Sequence, residues 1–102
     1  MSNILNARPI TLTAVMTQDY QTALGIPAGY GNRMPVCPTM IVWHNPTTVG
    51  DSFTIVDPVT GNVLFQGVCS VAKQQQSFVL SGKPWTNFKL TAISSGTVQI
   101  YE

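Results

Sequence analysis

The stretch Ser52-Phe53-Thr54-Ile55-Val56-Asp57-Pro58-Val59-Thr60-Gly61-Asn62-Val63-Leu64-Phe65-Gln66 decides the fold class of this chain. Phe53, Ile55 and Asp57 fall on one side of an extended backbone and Thr54 and Val56 on the other, the period of two that a strand requires. Asp57-Pro58-Val59-Thr60-Gly61 then supplies a turn. Asp hydrogen-bonds its own backbone, Pro arrives with φ preset, and Gly accepts a positive φ at the exit. Residues 62–66 resume the strand pattern, so the stretch predicts a β-hairpin.

Upstream, residues 39–44 form a near-continuous apolar run, expected as a central strand packed on both sides or at an interface. Residues 10–17 alternate Ile10, Leu12, Ala14 and Met16 with Thr11, Thr13, Val15 and Thr17, which predicts a half-buried strand. Between these, residues 18–38 lose all periodicity. Gly25, Gly29 and Gly31 mix there with Pro27, Pro35 and Pro38. A stretch that long without regular structure either works or docks, or else is the long crossover of a Greek key. Downstream, Gly67 is expected to permit a bulge or bend before a strand at 68–71, and a further strand is expected at 77–80. Residues 87–93 and 97–101 read as a second hairpin around Ser94-Ser95-Gly96. Short strands with turn signals at this spacing predict an all-β fold: a small antiparallel β-sandwich, jelly-roll or Ig-like, of six to eight strands with a long Gly/Pro-rich loop. Its 102 residues make one domain, with an N-terminal arm at 1–9 and the loop at 18–38.

Composition agrees. Val, Ile, Thr, Phe, Tyr and Trp total 39 residues, whereas Glu occurs once, at Glu102. β-branched and aromatic side chains suit a pleated surface, and the straight charged residues of exposed helices are missing. Charged residues are 9% of the chain against about 25% in an average soluble protein, so Thr, Ser, Asn and Gln, 32 residues together, must wet the surface. The formal net charge of +1 leaves little repulsion between copies and favours association. Five scattered cations are too few for a nucleic-acid interface, and no apolar run is long enough to span a bilayer. The first nine residues lack an apolar segment behind a basic one, so no secretory signal is expected. Cys37 and Cys69 are therefore expected as free thiols, Cys69 within the core.

The residues available for proton transfer are His44, three Asp and Glu102, and no nucleophile motif, carboxylate pair, phosphate loop or metal-ligand spacing frames them. The expectation is a non-enzyme with no metal or cofactor. His44 reads as a structural hydrogen-bonding residue and Trp43 as core. Tyr20, Leu24, Ile26, Tyr30 and Met34 are the large apolar side chains of the long loop and are the candidate protein interface. Trp85 and Tyr101 are the candidates for stacking on sugar rings under an alternative reading, a carbohydrate or cell-surface binding module.

The segment Trp43 to Tyr101, and especially Trp85-x-x-Phe88-x-Leu90 followed by Ile93-Ser94-Ser95-Gly96-Thr97-Val98-x-Ile100-Tyr101, resembles small all-β structural proteins carried in the genomes of tailed bacteriophages. The resemblance spans a little over half the chain and lies in general character, that of a short, charge-poor chain rich in Thr, Ser and Gln. It implies a virion component present in many copies, either capsid decoration and cement or a tail accessory. Its implied partners are a capsid or tail protein and further copies of itself, with no nucleic acid and no membrane. No individual binding residue carries over from it.

Overall fold

The computed structural model of the chain describes residues 3–5, 9–23, 36–85 and 87–102. Among them lie seven strands and one helical turn: β1 (Ile10–Leu12), α1 (Tyr20–Ala23), β2 (Met40–His44), β3 (Ser52–Val56), β4 (Val63–Val68), β5 (Gln76–Val79), β6 (Lys89–Ile93) and β7 (Thr97–Tyr101). They form two antiparallel sheets, one of order β1-β7-β2-β5 and one of order β4-β3-β6. The all-β class and the sandwich are as the sequence predicts.

Alternation places Ile10, Leu12, Ile41, Trp43, Val98 and Ile100 inward from the larger sheet and Phe53, Ile55 and Leu90 from the smaller, all fully buried. Trp43 meets Phe53 edge to face across the sandwich, with ring centroids 4.9 Å apart, and Phe53 stacks on Phe65 at 5.8 Å. Each such burial contributes about 1.5–3 kcal/mol relative to exposure. Cys69 is buried, Cys37 is exposed, and both are free thiols.

The hairpin read from the sequence joins β3 to β4. The Asp57 carboxylate accepts the N–H of Val59 at 2.8 Å, the Gly61 N–H donates to the Asp57 carbonyl at 2.7 Å, and Gly61 has φ +78°. Gly67 departs from expectation. It lies within β4, directly opposite Phe53, and the irregularities of register fall at Ile55/Val56 and Thr54/Ile55 instead. A Cβ at position 67 would stand 2.3 Å from the Phe53 ring, so glycine serves here to let that ring lie flat across the strand. No separate strand follows at 68–71.

The tail is likewise corrected. β6 pairs with β3 while β7 pairs with β1 and β2, so residues 94–96 carry the chain from one sheet to the other and do not close a hairpin. The crossing is held by Trp43, whose indole N–H donates to the Ser95 carbonyl at 2.9 Å, and by the Ser94 N–H on the Ser52 carbonyl. Gly96, at φ +78°, comes so near the His44 carbonyl and the Trp43 indole that a Cβ there would collide with both.

The first predicted strand is cut short. β1 ends at Leu12 because the Asn3 side chain takes the next backbone groups: its Oδ1 accepts Thr13 N–H at 2.7 Å and Ala14 N–H at 3.0 Å. Ala14 is exposed, and the chain crosses to the smaller sheet. There the Met16 N–H donates to the Leu90 carbonyl and the Tyr20 N–H to that of Phe88. Residues 16–20 thus run along the outer edge of β6. On the other sheet, Ile4 and Thr11 exchange two backbone hydrogen bonds, which covers part of the outer edge of β1.

Candidate interaction faces

The outward side of the larger sheet is built by the residues that alternate with the core set: Thr11 from β1, Met40, Val42 and His44 from β2, Ser77 and Val79 from β5, and Thr97, Gln99 and Tyr101 from β7. None is a carboxylate or an ammonium. Gln99 organises the middle of this face: its Oε1 lies 2.8 Å from His44 Nε2 and accepts the Tyr101 hydroxyl at 3.0 Å. An amide oxygen is an acceptor, so His44 presents an N–H from Nε2. His44 is a structural hydrogen-bonding residue, as its sequence context suggests.

A second polar cluster sits where β3 begins and the 94–96 crossing passes. Asp51 Oδ2 accepts the Ser95 hydroxyl at 2.6 Å and the Thr47 hydroxyl at 3.2 Å, and Ser95 Oγ in turn accepts the Thr47 N–H. The Ser95 hydrogen bond holds the Asp51 carboxyl below its ordinary range. At Asp19, burial works to raise the carboxyl. Hydrogen bonds from Thr22 and Asn87 and the charge of Lys89 prevail and lower it. Asp19 caps the helical turn through the Thr22 N–H at 2.7 Å. Ser95 thus meets the Asp51 carboxylate and His44 the Gln99 amide. No group of three or more His, Cys, Asp or Glu that could hold a metal is found among those residues.

The interface expected of the long loop is corrected at its one described member. Tyr20 is fully buried within its own chain and stacks on Phe88 with ring centroids 4.7 Å apart, because the hydrogen bond to Phe88 draws residues 16–20 onto β6. Leu24, Ile26, Tyr30 and Met34 lie outside the described residues. Trp85 and Tyr101 do not share a face. Trp85 is half-buried against the core, edge to face with Phe88 at 5.8 Å, and exchanges two backbone hydrogen bonds with Val36. It closes one end of the sandwich and lines a shallow cleft of about 180 Å³ with Pro38, Leu64, Leu80, Ser81 and Lys83. Tyr101 is engaged with Gln99 on the outer face of the larger sheet.

The sequence reading missed the side of the sandwich where β4 and β5 end the two sheets. Phe65 of β4 and Phe78 of β5 meet there at 5.1 Å, and the Gln76 side chain donates to the Val68 carbonyl and accepts the Ser70 N–H. Neither strand carries a charge or a proline. The sequence does carry the general signal, since edge strands are ordinarily protected by Lys or Pro and only three Lys are available, which points to edges occupied by neighbours without telling which strands form them.

Comparison with known proteins gives no assignment: no family model matches the chain, and no match to it is found among curated proteins or solved structures.

Proposed function

We propose that the chain is a non-enzymatic structural component of a bacteriophage virion, a decoration, cement or tail accessory protein present in many copies. The observation that supports this best is the outward side of the larger sheet, which holds Thr11, Met40, Val42, His44, Ser77, Val79, Thr97, Gln99 and Tyr101 and no formal charge. A protein that packs side by side on a shell needs broad surfaces that associate without strong fields, and a face of hydroxyl, amide, imidazole, thioether and aliphatic groups meets that need. Its partners on this reading are a capsid or tail protein and its own copies, and its location is the virion.

The test is cosedimentation of the purified chain with particles that lack it. Binding to particles by the unaltered chain, and its loss in Gln99→Glu at unchanged melting temperature, is the expected result. Failure of the unaltered chain to sediment with particles rejects the proposal.

A second reading, a carbohydrate or cell-surface binding module, draws on the cleft that Trp85 lines with Lys83 and Ser81. Retention on a glycan array that disappears in Trp85→Ala, while the folded state persists, would favour it over the first.

A further inference from the structure

The four edges of the two sheets are not treated alike. The outer edge of β1 is covered by the backbone pair between Ile4 and Thr11, and that of β6 by residues 16–20. Among the described residues, no strand or strap lies along β4 or β5. These two edges, uncovered among the described residues except where the Gln76 side chain takes the Val68 carbonyl and the Ser70 N–H at the end of β4, are on one side of the molecule, one from each sheet, since Phe65 and Phe78 touch. The core is also thinnest there. Leu64, Phe65 and Phe78 of these strands, and Leu80 just after β5, pack on the core yet remain partly exposed. On the outward faces of the same strands, Val79 is 85% exposed from the larger sheet, and Val63 and Val68 are more than half exposed from the smaller.

We infer that this side, bounded by β4 and β5, is a two-fold contact with a second copy of this chain. The copy is the fitting occupant because there are two edges to satisfy. An added peptide strand would extend one sheet and leave the other open. A single two-fold axis perpendicular to both sheets, passing just outside β5 and β4, sets β5 antiparallel to β5 of the second copy and β4 antiparallel to its β4, extending both sheets in one operation. The uncharged strands and the net charge of +1 set no strong field against it. Two exposed lysines mark the ends of β5, Lys73 three residues before it and Lys83 four after. Antiparallel pairing brings Lys73 of one chain towards the end where Lys83 of the second copy leaves. Salt therefore strengthens this contact by screening that repulsion, the reverse of an ion-paired interface. The inference does not depend on the virion reading, because it rests on edge geometry alone.

Sedimentation equilibrium of the full chain under reducing conditions, which prevents bridging through the exposed Cys37, tests it from micromolar to millimolar concentration. The expected result is a monomer–dimer equilibrium that tightens with added salt. Val79→Lys, at an exposed position, should weaken dimerisation on the order of tenfold or more by setting like charges across the pair. Val15→Lys, away from this side, should leave it unchanged. Equal melting temperatures of the two variants at monomeric dilution establish that both fold. Amide exchange provides an independent readout, with protection of residues 63–68 and 76–79 rising with concentration. A monomer at all concentrations, open-ended oligomers, or a dimer indifferent to Val79→Lys and protected elsewhere would each overturn the inference.

Discussion

Gly67 and Asp51 carry the most specific constraints that single residues impose on this molecule. A methyl group at position 67 would enter the Phe53 ring, which is itself held between Trp43 and Phe65 and has nowhere to go. Gly67→Ala should therefore lower the free energy of unfolding in urea by about 1–3 kcal/mol, the usual cost of overpacking, while the far-ultraviolet circular dichroism stays that of a β protein. An unchanged midpoint would mean that the ring does not lie over this strand. At Asp51 the hydrogen bond from Ser95 lowers the carboxyl in the folded state. A group lowered on folding contributes stability that is present above its unfolded value, about 4, and is lost as pH falls through the folded value. The melting temperature should accordingly drop as pH is taken below about 4, and Ser95→Ala should make that drop shallower. The slope that remains belongs in part to Asp19, which is lowered as well. A melting profile of Ser95→Ala parallel to that of the unaltered chain in acid would remove Asp51 from the account. The sequence marked Gly67 as special but supplied the wrong reason, because nothing in a strand's own pattern tells which ring will cross it.

At the scale of elements, legibility followed the range of the interactions. The β3–β4 hairpin was readable because Asp57, Pro58 and Gly61 act on their own backbone within five residues. The 94–96 turn carries similar residues, yet β6 and β7 part to different sheets. A turn signal records that the chain reverses, whereas the sheet that receives the next strand is settled by distant groups, here the Trp43 indole and Ser52. The same holds for residues 13–20. The alternation through residue 17 predicts one strand, but the Asn3 side chain ends β1 and hydrogen bonds to Phe88 and Leu90 recruit the rest to β6. That recruitment makes Tyr20 part of the core. Tyr20→Ala should cost about 3–5 kcal/mol in stability, as full truncation of a buried ring does, measured by chemical denaturation. A variant that keeps its stability but loses partner binding would instead restore Tyr20 to an interface.

For the whole molecule, the charge count was the most informative number in the sequence, and the fold gives it a location. The outward side of the larger sheet has no formal charge, and the side bounded by β4 and β5 has none on its strands. The fold class was legible because period-two patterning and the near absence of Glu both oppose helices. The interaction surfaces were less legible, since a strand's place at the edge or the middle of a sheet depends on pairing order, and Val79 looks the same in sequence as the buried Val98. Both surfaces bear on the proposal that the chain works in many copies on a particle. The most direct test is a three-dimensional reconstruction by electron cryomicroscopy of particles purified from the source. The expected result is density for this sandwich in symmetric copies, with the sheet face bearing His44, Gln99 and Tyr101 against a capsid or tail protein. Particles that carry no such density, from a source that produces the chain in quantity, would contradict it.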